Sequence, residues 1–172
     1  MFLDRARFPF LAELEGSWRA VRAESEALGA EDYSPWVYGE ASVGGWGVFP
    51  LLNRGLELPE NPWDLGANAR RCPHTAELVR SIPGAFLAAF SRLEGGAHIL
   101  PHQDYLSPAT YRAHLALVIP GDGGIRAVGG MGRNWHEGSG FVFDGSVRHE
   151  AANLCEHPRV VLLVDVRSEL YP

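Results

Sequence analysis

The residues best suited to chemistry lie between positions 98 and 104, in the run His-Ile-Leu-Pro-His-Gln-Asp. In an extended strand side chains alternate faces, so His102 and Asp104 point the same way while Gln103 points away. That pair is a two-ligand claw for a metal ion. A third ligand is available downstream in His149, within the strand-and-turn context Phe-Val-Phe-Asp-Gly-Ser-Val-Arg-His-Glu-Ala. Two histidines and one carboxylate on one face of an octahedron suit a non-haem Fe(II) oxygenase, because three positions stay open for co-substrate and O2. By itself the tripeptide is a weak signal, since 7 histidines among 172 residues produce such pairs by chance. The competing reading is a histidine hydrogen-bonded to a neighbouring carboxylate in a core.

Other polar residues on apolar strands keep company with the claw. Arg159 opens the very apolar last strand, and Arg112 and His114 share one strand face by the same period of two. A buried charge must be paired or liganded, and no local ion-pair partner is evident for these. His98 precedes His102 by four residues, about 13 Å at roughly 3.3 Å per residue along a strand, which reads as a residue behind the ligands or at the surface. His74, His136 and His157 sit in turn-like contexts and read as structural or exposed. Arg126 and Arg133 lie in the glycine-rich stretch between the two halves of the motif, where two readings stand level: binding an anionic substrate group, or solvated loop arginines. The five tryptophans, Trp18, Trp36, Trp46, Trp63 and Trp135, read as core at a helix-to-barrel junction or as the lining of a cavity.

The elements that must position these residues change character along the chain. Leu11, Leu14, Trp18, Val21 and Leu28 recur at helical spacing, with Pro9 before them and Gly29 after, which predicts an amphipathic helix over 9–28. Residues 33–61 carry short extended pieces broken by glycine and proline, read as edge or connecting strands. Pro73 opens a second helix that must stop before Pro83. Beyond it, 85–93, 99–104, 113–119, 124–128, 140–143 and 159–166 are short apolar or alternating runs separated by turn signals. Evenly spaced strands without intervening helices predict an antiparallel sandwich or barrel, here a β-barrel or jelly roll behind N-terminal helices.

A chain of 172 residues with 46% hydrophobic and 21% charged residues is read as a single domain, 1–172, divided into a helical and edge-strand part over 1–83 and a jelly-roll core over 84–172. The net charge of −6 argues against a nucleic-acid or anionic-membrane surface. No signal-peptide pattern and no apolar span of about 20 residues is present, so the expectation is a cytoplasmic protein without a membrane anchor. Cys72 and Cys155 are too few and too far apart for a disulfide framework or a cysteine zinc site and read as reduced. Every basic side chain except histidine is arginine, which removes lysine Schiff-base chemistry and the lysine-dependent phosphate loop.

Taken in order, the segments Cys72-Pro-His-Thr, Phe90-Ser-Arg-Leu with Gly96, Pro101-His-Gln-Asp, Arg112-Ala-His-Leu, Trp135-His-Glu-Gly, Phe143-Asp, His149-Glu-Ala with Asn153, and Arg159-Val-Val-Leu with Asp165 are far more specific than any one of them. Together they resemble the aspartyl/asparaginyl β-hydroxylase family of Fe(II)- and 2-oxoglutarate-dependent dioxygenases, over nearly the whole chain. The resemblance implies a mainly β fold with N-terminal helices, a double-stranded β-helix of the jelly-roll, cupin-like type. It also implies His102, Asp104 and His149 as iron ligands, and Arg159 with the hydroxyl of Ser91 at the distal carboxylate of 2-oxoglutarate. Arg112 and His114 would meet the carboxylate beside the keto group. The implied reaction hydroxylates an unactivated carbon, the β-carbon of an aspartyl or asparaginyl group in a free amino acid, peptide or carrier-bound unit. The rivals are a related bacterial hydroxylase of another acid or acyl chain, a non-catalytic jelly-roll module that holds metal, and a metal-dependent isomerase or hydrolase on the same barrel. Some members of the family, notably the animal enzymes, have glycine where this chain has Asp104, and the resemblance therefore places it nearer the bacterial ones.

Overall fold

A computed structural model describes residues 1–36, 42–55, 63–104 and 109–172. The helical spacing of Phe10, Leu11, Leu14 and Val21 buries all four on one side of α1 (Phe10–Glu26), against the expected 9–28. Next come two short strands, β1 (Ser34–Pro35) and β2 (Ser42–Val43), and the eight-residue β3 (Trp46–Asn53). Helices α2 (Leu65–Arg71) and α3 (Pro73–Ser81) follow. The remainder is extended: β4 (Ala85–Leu93), β5 (His98–His102), β6 (Thr110–Val118), β7 (Gly123–Ala127), β8 (Gly132–Asn134), β9 (Gly140–Phe143), β10 (His149–Asn153) and β11 (Arg159–Arg167).

These strands form two antiparallel sheets, a six-stranded one in the order β1-β3-β4-β11-β6-β9 and a five-stranded one in the order β2-β5-β10-β7-β8. The sheets face each other as a jelly roll, with the helices on the outer face of the larger sheet. Period two along the long strands then builds two cores. In β11, Val160, Leu162, Val164 and Val166 join the helix-side core with Leu11, Leu14 and Val21, whereas Val161 and Leu163 join the core between the sheets with Ile99, Ile125 and Ala151. A strand covered on both faces reads as a continuous apolar run, which is why β4 and β11 stand out in the sequence. The inner face of β11 continues through Arg159 and Asp165, both buried, so that face delivers charge into the interior.

Several expectations need adjustment. α2 has seven residues, including Gly66 and Asn68, and no apolar period; its one signal is Asp64, whose carboxylate accepts the Ala67 amide at 2.8 Å. β3 lies inside its sheet, between β1 and β4, and accommodates Pro50 at a register shift between Pro50 and Leu52. The rest of the 33–61 reading, over 37–41 and 56–61, falls outside the described residues. β10, Ala-rich and without β-branched residues, is held by pairing to β5 on one side and β7 on the other. Asp104 lies beyond the end of β5, so the simple alternation argued for His102 and Asp104 does not hold at that residue. Strands from the first half enter both sheets, beyond the helical cover. Cys72 and Cys155 are free thiols, and no helix among the described residues is long and apolar enough to cross a membrane.

Candidate metal centre

His102 closes β5 and His149 opens β10, and the antiparallel register sets them directly opposite each other, with ring centroids 4.3 Å apart. Each ring is oriented from behind. Nδ1 of His102 lies 2.7 Å from the Leu100 carbonyl, and Nδ1 of His149 lies 2.8 Å from the Val147 carbonyl. A carbonyl only accepts, so each Nδ1 carries the proton and each Nε2 is left with a free lone pair. Asp104 arrives by another route: its amide donates to the Gly145 carbonyl at 2.9 Å, which brings the loop after β5 against the turn before β10. Its Oδ1 then sits 3.8 Å from His102 Nε2 and its Oδ2 3.8 Å from His149 Nε2.

This donor set fits a metal ion. The three ligand atoms lie within 4.8 Å of one another. Arg112 Nη1 stands 2.8 Å from Asp104 Oδ2 as an ion pair, yet no described donor meets that buried oxygen in hydrogen-bond geometry. Burial pushes the His149 imidazole below its usual range and outweighs the nearby Asp104 charge, so a neutral, ligating ring is favoured. Two imidazoles and one carboxylate on one side are the ligand set of non-haem Fe(II) sites with open positions.

A narrow cavity of about 20 Å³ runs inward from the two histidines and is lined by Ser91, Arg112, His114 and Arg159 among apolar residues that include Ile99, Ile125 and Phe143. The long strands explain the gathering: Ser91 faces in from β4, Arg112 and His114 from β6, Arg159 from β11. Arg159 is 2% exposed and forms no ion pair among the described residues. Its Nη1 donates to the Ser91 carbonyl at 2.9 Å and to Ser91 Oγ at 3.2 Å, its guanidinium lies 4.5 Å from the Trp135 ring centre, and its Nε has no partner. Burial pushes its pKa down to about 9. Arginine keeps its proton through such a shift, so the cavity holds a buried positive charge that an anion would offset.

Arg112 behaves differently. Its Nε and Nη2 donate to the two oxygens of Asp165 at 2.7 and 2.9 Å, directly across from it on β11, and Nη1 faces Asp104. Burial opposes its charge, but the Asp104 and Asp165 carboxylates more than offset that and raise its pKa. His114 is held well below the usual imidazole range, first by burial and then by the charges of Arg159 and Arg112.

Arg126, Arg133 and His98 are not brought to this cavity. Arg126 alternates with the inward Ile125, so it stands exposed on the outer face of the smaller sheet, where Glu150 accepts its Nε at 2.6 Å. His98 meets the same Glu150 at 2.7 Å. Arg133 lies on the edge strand β8, its guanidinium 5.0 Å from the Phe2 ring centre and 5.4 Å from that of Phe141. His74, His136 and His157 are exposed. Residues missed in the sequence are Asp165 as the partner of Arg112, and Trp46 and Trp135 as hydrogen-bond donors to cavity residues. The period of two pointed to Asp165, six residues after Arg159 on the same strand face; nothing local marks the indole contacts.

The fold and the cluster together define a cupin-like jelly-roll protein with a two-histidine, one-carboxylate site. Residues 15–169 match the family described as Aspartyl/Asparaginyl beta-hydroxylase, and the chain belongs to it. It is 34% identical, over 94% of its length and 58% of the relative's, to an ornithine lipid ester-linked acyl 2-hydroxylase of Rhizobium tropici. It is 31% identical, over 95% of its length and 43% of the relative's, to aspartate beta-hydroxylase domain-containing protein 2 of Homo sapiens. The chain thus spans between 40% and 58% of the length of the curated relatives it matches. A Pseudomonas putida prolyl-4-hydroxylase shares the fold with a TM-score of 0.55 at 18% identity, covering 89% of this chain and 86% of that one.

Proposed function

We propose that the chain is an Fe(II)/2-oxoglutarate-dependent dioxygenase that hydroxylates an unactivated carbon. The observation that carries this reading is one cavity joining His102 and His149, with Asp104 clustered beside them, to Arg159, a buried guanidinium with no carboxylate partner among the described residues. His102, Asp104 and His149 hold the iron. Arg159, with Ser91, takes the distal carboxylate of 2-oxoglutarate, which its planar fork matches. His114 donates toward the carboxylate beside the keto group, and Arg112 neutralises that end of the cavity while steadying Asp104. Bound there, iron and 2-oxoglutarate supply the oxidation: O2 places one oxygen in the substrate C–H bond and one in succinate, with release of CO2. The apolar lining keeps water from the reacting centre.

The substrate is a small molecule, peptide or carrier-bound unit, and two classes have support. Membership of the family supports the β-carbon of an aspartyl or asparaginyl group. The likeness to the Rhizobium tropici enzyme favours an acyl chain, and so do three exposed apolar residues beside the metal end, Val128, Met131 and Val147. Binding of 2-oxoglutarate to the Mn(II)-loaded protein, followed by calorimetry, tests the core of the reading. Arg159→Gln is expected to weaken it by roughly 10- to 100-fold; equal affinity in the variant, or no binding to the wild type, rejects it. Succinate release stimulated by asparaginyl peptides or by acylated amines then decides between the substrate classes.

A further inference from the structure

Inward of the two histidines whose Nε2 atoms face the metal end, the polar groups Ser91, His114 and Arg159 present protons to the cavity, and two buried indoles enforce that polarity. Trp46, on β3, donates its Nε1 proton to Ser91 Oγ at 2.9 Å, and Arg159 Nη1 donates to the same oxygen at 3.2 Å. Both lone pairs of the hydroxyl are thereby occupied, and its own proton is left to be given away. Trp135, which precedes β9, donates its Nε1 proton to His114 Nδ1 at 3.2 Å. A neutral imidazole carries one proton, so with Nδ1 accepting, Nε2 carries it and becomes a donor. No described residue bonds His114 Nε2, and none accepts the Ser91 hydroxyl proton. The face of Trp135 also lies against the Arg159 guanidinium, whose Nε is unpartnered.

We propose that Trp46 and Trp135 are positioning residues that make the end of this cavity inward of His102 and His149 donor-only, so that it selects a ligand of the dicarboxylate class, with acceptor oxygens at both ends. The inference rests on the reading of the cavity as the 2-oxoglutarate site and adds to it the groups that set its proton directions. A hydroxyl or imidazole free to turn would offer a lone pair to the ligand as readily as a proton, and a carboxylate oxygen facing a lone pair loses a hydrogen bond. The burial of both tryptophans, with their amines committed to cavity residues, removes that freedom.

The test uses the full chain with ¹⁵N-labelled histidine, its imidazole tautomers read from two-bond ¹⁵N–¹H correlations at neutral pH, alongside Trp135→Phe and Trp46→Phe. Phenylalanine keeps an aromatic ring against Arg159 and removes the N–H together with one ring of the indole, so the tautomer is the readout that lost packing alone would not move. The expected result is His114 as the Nε2–H tautomer in the wild type and as a tautomer mixture in Trp135→Phe. Each variant should bind 2-oxoglutarate about tenfold more weakly, with Mn(II) affinity unchanged. A wild-type His114 protonated at Nδ1, or a Trp135→Phe protein with unaltered tautomer and affinity, overturns the proposal. Should a variant fail to fold, the wild-type tautomer still decides. A wild-type protein with the expected tautomer that binds no 2-oxoglutarate overturns the dioxygenase reading while supporting the proton directions assigned to the cavity.

Discussion

A methyl group on Gly145 would come within 2.7 Å of Asp104 Oδ2, so the carboxylate reaches the two imidazoles only because that position has no side chain. Gly145→Ala is therefore expected to displace Asp104 and weaken Mn(II) or Fe(II) binding by about tenfold, measured by calorimetry; unchanged affinity would show that Asp104 is placed by other contacts. Asp165 is the second residue on which the centre depends. Burial raises its pKa against the lowering influence of Arg112, and its two oxygens hold Arg112, which in turn faces Asp104. Asp165→Ala leaves that buried guanidinium without its bidentate partner, and urea unfolding should register a loss of about 3–5 kcal/mol. A loss below about 1 kcal/mol, typical of an exposed pair, would mean that Asp104 or water compensates.

At the scale of elements, the helices are tied together by a carboxylate from one capping the other. Glu24, in α1, accepts the His74 and Thr75 amides at 2.9 Å each and the Thr75 hydroxyl at 2.6 Å, so it serves as the N-terminal cap that α3 lacks in its own sequence. Glu24→Ala should lower stability by about 1–2 kcal/mol and leave metal affinity alone, since α3 packs outside the larger sheet; a matching loss of metal affinity would contradict that separation. Much of this architecture was legible in sequence because the long strands alternate between two apolar cores, and the same alternation exposed Arg112, His114 and Arg159 as polar groups facing inward. β10 was not legible, because its five residues owe their conformation to the strands on either side. Asp104 was assigned to the right cluster for an incomplete reason, since a loop contact with Gly145, 41 residues on, replaces the pleat that was assumed. The contacts of Trp46 with Ser91 and of Trp135 with His114 span 45 and 21 residues, separations over which no local pattern carries information.

For the molecule as a whole, a neutral histidine buried beside two guanidiniums is a liability in acid. His114 is neutral in the fold and held well below its usual range by burial and by Arg159 and Arg112. As pH falls through about 6.5 the unfolded chain takes up this proton before the folded one does, so stability is lost from there downward towards the folded value. The melting temperature of the metal-free protein should fall over that window, and His114→Gln should flatten the fall; an identical slope in the variant would assign the acid sensitivity to other groups. The same interior should gain stability from an anion that binds only the folded state. The most direct measurement of the central claim is the visible absorption of anaerobic protein mixed with Fe(II) and 2-oxoglutarate. The account predicts a weak charge-transfer band that saturates at one iron per chain, is absent in His102→Ala, and needs far more 2-oxoglutarate to appear in Arg159→Gln. A wild-type protein that binds iron but develops no band with 2-oxoglutarate, or a band that survives His102→Ala undiminished, would contradict it.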